Sequence, residues 1–178
     1  MVTDTTLIQD FVNTLHKDLY GDEEDLQTPA SLAGWLRERN LVDSARASAD
    51  DLEHAIELRE ALRVLLLANN GVDVDTAAPR RVLDAAARRA RVELRFGEAG
   101  PMLVPAAAGI DGALGRIVAA VQGAVADGSW ARLKACRAED CEWAFVDHAK
   151  NQSRAWCSMR SCGNRAKARA HRERQRRT

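Results

Sequence analysis

The sequence has few aromatic residues and no long apolar segment. Aromatic side chains make up 4% of the 178 residues, whereas alanine and leucine are frequent, a mixture that favours helices over sheets. The longest apolar run, residues 64–68, is far shorter than the roughly 20 residues needed to cross a bilayer. Apolar residues nevertheless make up 46% of the chain, so we expect a buried core.

Motifs of common enzyme classes are also missing. The sequence contains no glycine-rich phosphate loop, no His-Glu-x-x-His motif and no serine or cysteine nucleophile motif. We therefore expect a protein that is not an enzyme. Residues 1–6 are polar and precede no long apolar segment, so no signal peptide is predicted and we expect a cytoplasmic protein without a membrane partner.

The net charge of zero hides two parts of opposite charge. Residues 1–130 carry 13 Lys and Arg against 21 Asp and Glu, a difference of −8. Residues 131–178 carry 13 against 5, a difference of +8. This asymmetry predicts two domains, 1–130 and 131–178, with different partners, and the second would be attracted to a polyanion.

Periodicity predicts a mainly helical first domain that contains one β-hairpin. Helices are predicted over 6–20, 28–40, 48–69, 79–89 and 110–125. Thr28-Pro29 and the pair Ser48 and Asp51 are helix-start signals. Apolar residues alternate from Val92 to Phe96, and a turn precedes a second strand at 102–104. The predicted fold class is therefore α+β with helices predominating.

All four cysteines lie in the basic part of the chain. They form two pairs with equal gaps, Cys136 with Cys141 and Cys157 with Cys162. In a reducing compartment such pairs bind metal more often than they form disulfides. Four thiolates from two short loops suit tetrahedral structural zinc. We predict zinc at these cysteines; a disulfide or free thiols are the alternatives.

The spacer between the pairs is predicted to fold as a short hairpin. It runs from Glu142 to Trp156, and Trp143, Phe145 and Trp156 would form its apolar core. With the helix that follows, this order suggests a treble-clef-like finger. His148 is an alternative ligand, although an exposed hairpin position is the simpler interpretation. Four thiolates leave no open position for water, so the zinc would be structural rather than catalytic.

The final helix, predicted to begin near Cys162, is rich in arginine. At 100° per residue, four arginines fall within about 60° of one another: Arg165, Arg169, Arg172 and Arg176. Lys167, His171 and Arg174 form a second basic stripe on the opposite side. We predict nucleic-acid contact by the four arginines, by Lys167 and by Arg154, because phosphates would relieve the repulsion between like charges. The alternative is a solvated basic tail that binds RNA or acidic proteins without specificity.

Two further groups of residues have two interpretations each. A zinc ion with four thiolates carries a charge of about −2, which Arg137, Arg160 and Arg165 would offset; for Arg137 and Arg160, nucleic-acid contact is an equal alternative. Three polar residues on the first helix are candidates for binding a small ligand, or they serve as caps and helix–helix hydrogen bonds: Asp10, Asn13 and Thr14.

The basic part of the chain resembles the CGNR zinc finger. The matching residues are Cys136, the runs 141–147, 150–151, 153–154 and 156–159, and the tetrapeptide Cys-Gly-Asn-Arg at 162–165. The rest of the chain resembles the ABATE domain. That resemblance depends on residues 10–14, on Leu26, Pro29, Leu32, Trp35 and Leu36, and on residues 58–62.

The resemblance implies a bacterial, stress-responsive transcriptional regulator that acts at the nucleoid. Zinc would be held by the four cysteines, and DNA would be bound by the basic helix. The alternative function is an RNA- or protein-binding adaptor that uses the same finger. A regulator needs a sensor or a dimer interface, so we expect the first domain to bind an effector or to form a homodimer.

Overall fold

The computed structural model describes residues 4–17, 21–98 and 100–176, apart from the side chain of Glu173. Within them, helices predominate and three two-stranded antiparallel sheets accompany them. The helices are α1 (Asp4–Val12), α2 (Pro29–Glu38), α3 (Ala49–Asn69), α4 (Ala77–Arg89), α5 (Gly109–Ala126) and α6 (Asn164–Arg176). The strands are β1 (Leu15–His16), β2 (Glu23–Glu24), β3 (Val92–Gly97), β4 (Gly100–Pro105), β5 (Leu133–Ala135) and β6 (Ala144–Val146). The predicted α+β class is confirmed.

Reciprocal side-chain caps fix the starts of α2 and α3. The Thr28 hydroxyl accepts from the Ser31 amide at 3.1 Å, and the Thr28 amide donates back to the Ser31 hydroxyl at 3.0 Å. Ser48 and Asp51 exchange the same two bonds at 3.1 and 2.8 Å. Each cap satisfies amides that have no partner within the helix and is worth about 1 kcal/mol. Both predicted helix starts are confirmed.

The first helix is shorter than predicted. We expected a helix over 6–20, but α1 ends at Val12 and the chain continues as β1. The cause is a tertiary contact, because the Arg63 guanidinium donates hydrogen bonds to the carbonyls of Val12 and Leu15 at 2.7 and 3.2 Å. Those carbonyls are therefore not free to continue a helical ladder. The predicted continuation over 18–20 lies outside the described residues.

The main core lies between α1, α2, α3 and α5. Its fully buried side chains include Ile8, Phe11, Leu62, Leu66 and Ile117. Three residues of the β5–β6 hairpin belong to the same core: Leu133, Ala135 and Ala144. Burying each large apolar side chain contributes about 2 kcal/mol. The basic part of the chain is thus joined to the helical part by a shared core, and the boundary at residue 130 stays a prediction.

The predicted hairpin over 92–104 is confirmed as β3–β4, with Leu94 opposite Leu103. β4 packs against α5, whereas β3 is the outer strand. Close packing on α5 depends on Gly115. A Cβ there would lie 2.4 Å from the Ala90 Cβ and 2.9 Å from the Pro105 Cβ, both too short for real contacts.

The second hairpin lies elsewhere than predicted. We expected both of its strands between Glu142 and Trp156, and this is wrong. β5 precedes Cys136 and β6 follows Cys141, so the hairpin encloses the first cysteine pair. The apolar inner residues of both strands are drawn into the main core, which explains the pairing. A π-helical turn, Met159–Gly163, carries Cys162 and leads into α6, as the predicted helix start requires.

Candidate metal centre and basic helix

The four cysteine sulfur atoms converge, each lying within 4.8 Å of the others. Cys157 Sγ is 3.5 Å from Cys141 Sγ and 3.6 Å from Cys162 Sγ. Zinc–sulfur bonds of about 2.3 Å in a tetrahedron place neighbouring sulfurs about 3.8 Å apart. A disulfide would need about 2.05 Å, and all four cysteines are unpaired. The donor set therefore fits one tetrahedral zinc ion.

Local hydrogen bonds shape the two loops that present the cysteines. In the first loop, the Cys136 amide donates to the Trp143 carbonyl at 3.0 Å, and the Cys141 amide donates to the Ala138 carbonyl at 2.9 Å. In the second, the Gly163 amide donates to the Ser158 carbonyl at 3.0 Å. Both loops are thus held by backbone bonds that leave the thiol groups free to point inward.

A small apolar cluster covers the cysteines. Phe145 is buried in it, and Trp143 and Trp156 pack against it, so the three predicted aromatic residues do cluster, although not inside a hairpin over 142–156. Gly163 is needed for this packing, because a Cβ there would lie 2.6 Å from Met159 Sδ and 3.2 Å from Trp156 Cδ1. His148 is exposed and lies outside the sulfur cluster, so it is not placed as a ligand.

The crowded thiol groups cannot all ionise without a cation. Hydrogen bonds from Cys141 and Cys157 lower the pKa of Cys136 to about 2. The same contact, with Cys136 as the charged partner, raises the pKa of Cys141 to about 12. The pKa of Cys157 is raised for the same reason. A divalent cation at the centre of the cluster would remove this conflict, because a coordinating thiol is deprotonated outright.

A buried ion pair supports the loop between the hairpin and the second cysteine pair. Lys134 Nζ lies 2.8 Å from Asp147 Oδ2, and the Asp147 side chain is fully buried. The carboxylate also accepts from the amides of Ala149 and Arg154, at 2.9 and 3.0 Å. Burial would raise the pKa of Asp147, but these bonds, led by the one from Lys134, hold it below its usual value. Sequence analysis missed this pair.

The Asn13 side chain lies between the helical part of the chain and the finger. Its amide donates to the Ala144 carbonyl at 3.0 Å and its carbonyl accepts from the Ala144 amide at 2.8 Å. Thr14 is buried and donates to the Phe11 carbonyl, whereas Asp10 lies 3.9 Å from Arg39 at the surface. The structure therefore gives Asn13 and Thr14 internal partners and does not bring Asp10 to the same site. Ligand binding by the three stays a prediction.

The end of α3 also holds the finger. Asn70, buried at the helix C-cap, donates to the carbonyls of Ala135 and Ala155 at 2.7 and 2.9 Å. In return, the Arg137 guanidinium donates to the Asn70 carbonyl at 2.8 Å. A cation at the C-terminal end of a helix is favoured by the helix dipole. Arg137 thus ties the first cysteine loop to α3, a role that neither sequence interpretation included.

The arginine stripe of α6 begins at the metal centre. Arg165 Nη2 lies 3.4 Å from Cys162 Sγ and 3.3 Å from Asp140 Oδ1. Burial would lower the pKa of Arg165, but the charges of Cys162 and Asp140 raise it. Arg169 lies 3.9 Å from Asp140 and is 54% exposed. The position of Arg165 therefore supports the prediction that this residue offsets thiolate charge.

The other predicted nucleic-acid residues have different surroundings. Arg172, Arg176 and Lys167 are exposed along α6. Arg154 is engaged internally: its Nε donates to the Trp156 carbonyl at 2.9 Å, its Nη2 donates to the Cys157 carbonyl, and its guanidinium stacks over Phe145. Arg154 thus supports the second cysteine loop, and nucleic-acid contact by it stays a prediction.

Two family models match the chain. The CGNR zinc finger matches residues 132–175. The ABATE family, described as "Putative stress-induced transcription regulator", matches residues 5–128, more than half of the chain. The chain belongs to the ABATE family. No curated protein matches it.

Membership of the ABATE family and the finger match confirm the predicted resemblance. The clustered cysteines and the zinc-finger match together support zinc as the cofactor. Neither matched family is an enzyme family. Among the described helices, none is both long and apolar enough to span a membrane.

Proposed function

We propose that this ABATE-family protein is a zinc-dependent DNA-binding regulator of transcription. Zinc is held by Cys136, Cys141, Cys157 and Cys162, and the exposed arginines of α6 contact DNA. The observation that supports this most directly is the position of α6. The helix begins two residues after Cys162, so the metal centre fixes its start, and its following turns project basic side chains.

Zinc bound by four thiolates supplies structural stability and no open coordination position. Other residues of the chain hold the cysteine loops in position. Asn70 and Arg137 anchor the first cysteine loop on α3, and Asp147 with Lys134 shapes the approach to the second. These contacts hold the two cysteine loops, from which α6 starts, against the helical part of the chain.

DNA contact on this proposal falls on one face of α6. Arg169, Arg172 and Arg176 lie on it and span roughly 10 Å of helix. An α-helix fits the major groove, where arginine can bind the edges of guanine and can reach the phosphates that flank the groove. Arg165 contributes mainly by fixing the start of the helix beside Asp140. Contacts by Lys167, on the opposite face, and by Arg154, whose guanidinium is engaged within the finger, are separate predictions that this geometry does not require.

The proposal is tested by selecting bound sequences from random duplex DNA with the zinc-loaded full chain. We expect an enriched motif. The variant Arg172→Ala/Arg176→Ala should bind more weakly. If each arginine neutralises one phosphate, the plot of log K against log salt concentration should become less steep by about 1.8. Arg80→Ala/Arg81→Ala removes the same charge from exposed positions on α4 and serves as the control.

The stress-responsive role and an action at the nucleoid are proposals supported by the family description. Competition between duplex DNA and structured RNA at physiological salt distinguishes this proposal from the adaptor alternative. Preferred binding of RNA, or no enriched DNA motif together with an unchanged salt slope in the α6 variant, would overturn it.

A further inference from the structure

The β3–β4 hairpin leaves a strand edge and apolar side chains uncovered. Within the described residues β3 pairs only with β4, so its other edge has no strand partner. Leu94 is 56% exposed and Phe96 is 82% exposed. An unpaired strand edge is a template for pairing with another chain, particularly when its side chains are apolar.

The pairing of β3 with β4 shows which backbone groups face outward. The Ala106 amide donates to the Arg91 carbonyl at 3.1 Å, which makes Arg91 a hydrogen-bonded position of the ladder. Such positions alternate along an antiparallel strand. The residues that direct their N–H and C=O groups away from β4 are therefore Val92, Leu94 and Phe96.

The opposite edge of the hairpin is closed to pairing. The residues of β4 that face Phe96 and Val92 across the ladder are Pro101 and Pro105. Their outward positions have no N–H to donate, and proline on an edge strand prevents a further strand from pairing there. β3 is thus the edge of this hairpin that can accept a partner strand.

The sequence of β3 is complementary to itself in the antiparallel direction. With a twofold axis at Leu94, Glu93 of each copy lies opposite Arg95 of the other. Val92 lies opposite Phe96, and Leu94 lies opposite its own copy. The two charge pairs fall at positions without backbone hydrogen bonds, where cross-strand side chains are closest.

The two neighbouring registers of this kind are disfavoured by charge. An axis at Glu93 places the two Glu93 carboxylates opposite each other, and an axis at Arg95 does the same for two guanidinium groups. Like charges directly opposite are destabilising. In the single chain, Arg95 Nη2 and Glu93 Oε2 lie 2.7 Å apart and are both largely exposed, so they are available to exchange partners.

We propose that the protein forms a homodimer by antiparallel pairing of β3 with β3 of a second copy. The result is a four-stranded sheet with the order β4-β3-β3-β4. About six new backbone hydrogen bonds form across the axis, and the exposed Leu94 and Phe96 side chains of the two copies meet on one face. The interface is short, so the dimer dissociates on dilution.

Sedimentation velocity of the zinc-loaded full chain, from low to high micromolar concentration, tests this. The wild-type protein should shift from monomer to dimer as its concentration rises. Glu93→Arg and Arg95→Glu each place like charges in both cross-strand pairs, and each should weaken dimerisation by at least about tenfold. Glu98→Arg, just beyond β3, makes the same charge change as Glu93→Arg and should dimerise like the wild-type protein.

Mixing the two variants separates strand pairing from any loss of folding. In a mixed dimer of Glu93→Arg with Arg95→Glu, every cross-strand pair again joins opposite charges, so the mixture should form a heterodimer. Unchanged circular dichroism, melting and zinc content would show that each variant folds and retains the finger. A monomeric wild-type protein at all concentrations, a Glu93→Arg variant that dimerises normally, or a mixture that stays monomeric would overturn the proposal. None of these results depends on DNA binding.

Discussion

Replacing Asp147 by Asn tests the buried support beneath the finger. The Asp147 side chain is fully buried and that of Lys134 is 6% exposed. Asp147→Asn leaves the ammonium group without a counter-ion in a place that water does not reach. Breaking a buried pair in this way costs about 3 kcal/mol. For a chain of this size that corresponds to a fall in Tm of about 6 to 12 °C.

The cost is measured by chemical denaturation of the zinc-loaded protein in a double-mutant cycle with Lys134→Met. Because the two groups touch, their coupling free energy should be about 1 to 3 kcal/mol. The pKa of Asp147 lies below its ordinary value of 3.8, so the carboxylate is charged throughout the neutral range, and its contribution is lost as the pH falls through the lower, folded value. Asp147→Asn should therefore cost the same at pH 6 and pH 8. Additive single effects, or a cost below about 0.5 kcal/mol, would show that the pair does not stabilise the fold.

Three further predictions concern the metal, the contact of Asn13 with β6 and the packing of β4 on α5. Removing zinc with a chelator should expose four reactive thiols and lower the Tm, and a thiol titration before and after chelation checks this; unreactive thiols in the chelated protein would contradict it. Asn13→Leu removes both hydrogen bonds to Ala144 and should lower the free energy of unfolding by about 2 kcal/mol, because the Ala144 backbone groups lose their partners. Gln27→Ala, at an exposed position, is the control. Asn40→Ala, at the end of α2, is unsuitable as a control because the backbone there is strained at φ 55°. Gly115→Ala should destabilise the contact of β4 with α5. Relative to the wild-type protein, amide exchange should then accelerate more in β3 and β4 than in α3. An equal acceleration in the two regions would argue against it.

Much of the fold is readable from the sequence because its signals are local. The caps at Thr28 and Ser48, the alternation from Val92 to Phe96 and the pairing of the cysteines by equal gaps all act over a few residues. The caps and the alternation are confirmed by the structure, and the four cysteines lie close together, as a shared zinc ion would require. The cysteine cluster is predictable for the same reason, because its four donors lie close together in one segment of the sequence.

The errors and omissions arise from contacts between distant parts of the chain. α1 ends early because Arg63, about fifty positions later, binds the carbonyl of its last residue, Val12. The second hairpin was misplaced because β5 and β6 are drawn into a core built by other helices. Asn13 and Ala144 are 131 positions apart, and a lone asparagine carries no local sign of such a partner. A lysine and an aspartate thirteen positions apart likewise look like ordinary surface residues.

The charged residues of the finger show the limits of counting charges. Arg137, Arg154 and Arg165 all contribute to the basic balance of residues 131–178, yet each binds groups within the protein. The exposed arginines of α6, chiefly Arg172 and Arg176, are the ones available to a polyanion. The number of phosphates contacted should therefore be smaller than the total charge suggests, and the salt slope reports it.

The proposed function requires that zinc organises a basic helix which binds DNA. Fluorescence anisotropy with labelled duplex DNA, at one fixed salt concentration, tests it on the same protein sample in three states: loaded with zinc, after chelation, and after zinc is returned. We expect binding in the first state, a loss of at least tenfold in affinity in the second, and recovery in the third. Affinity that is unchanged by removing zinc, or absent in all three states, would contradict it.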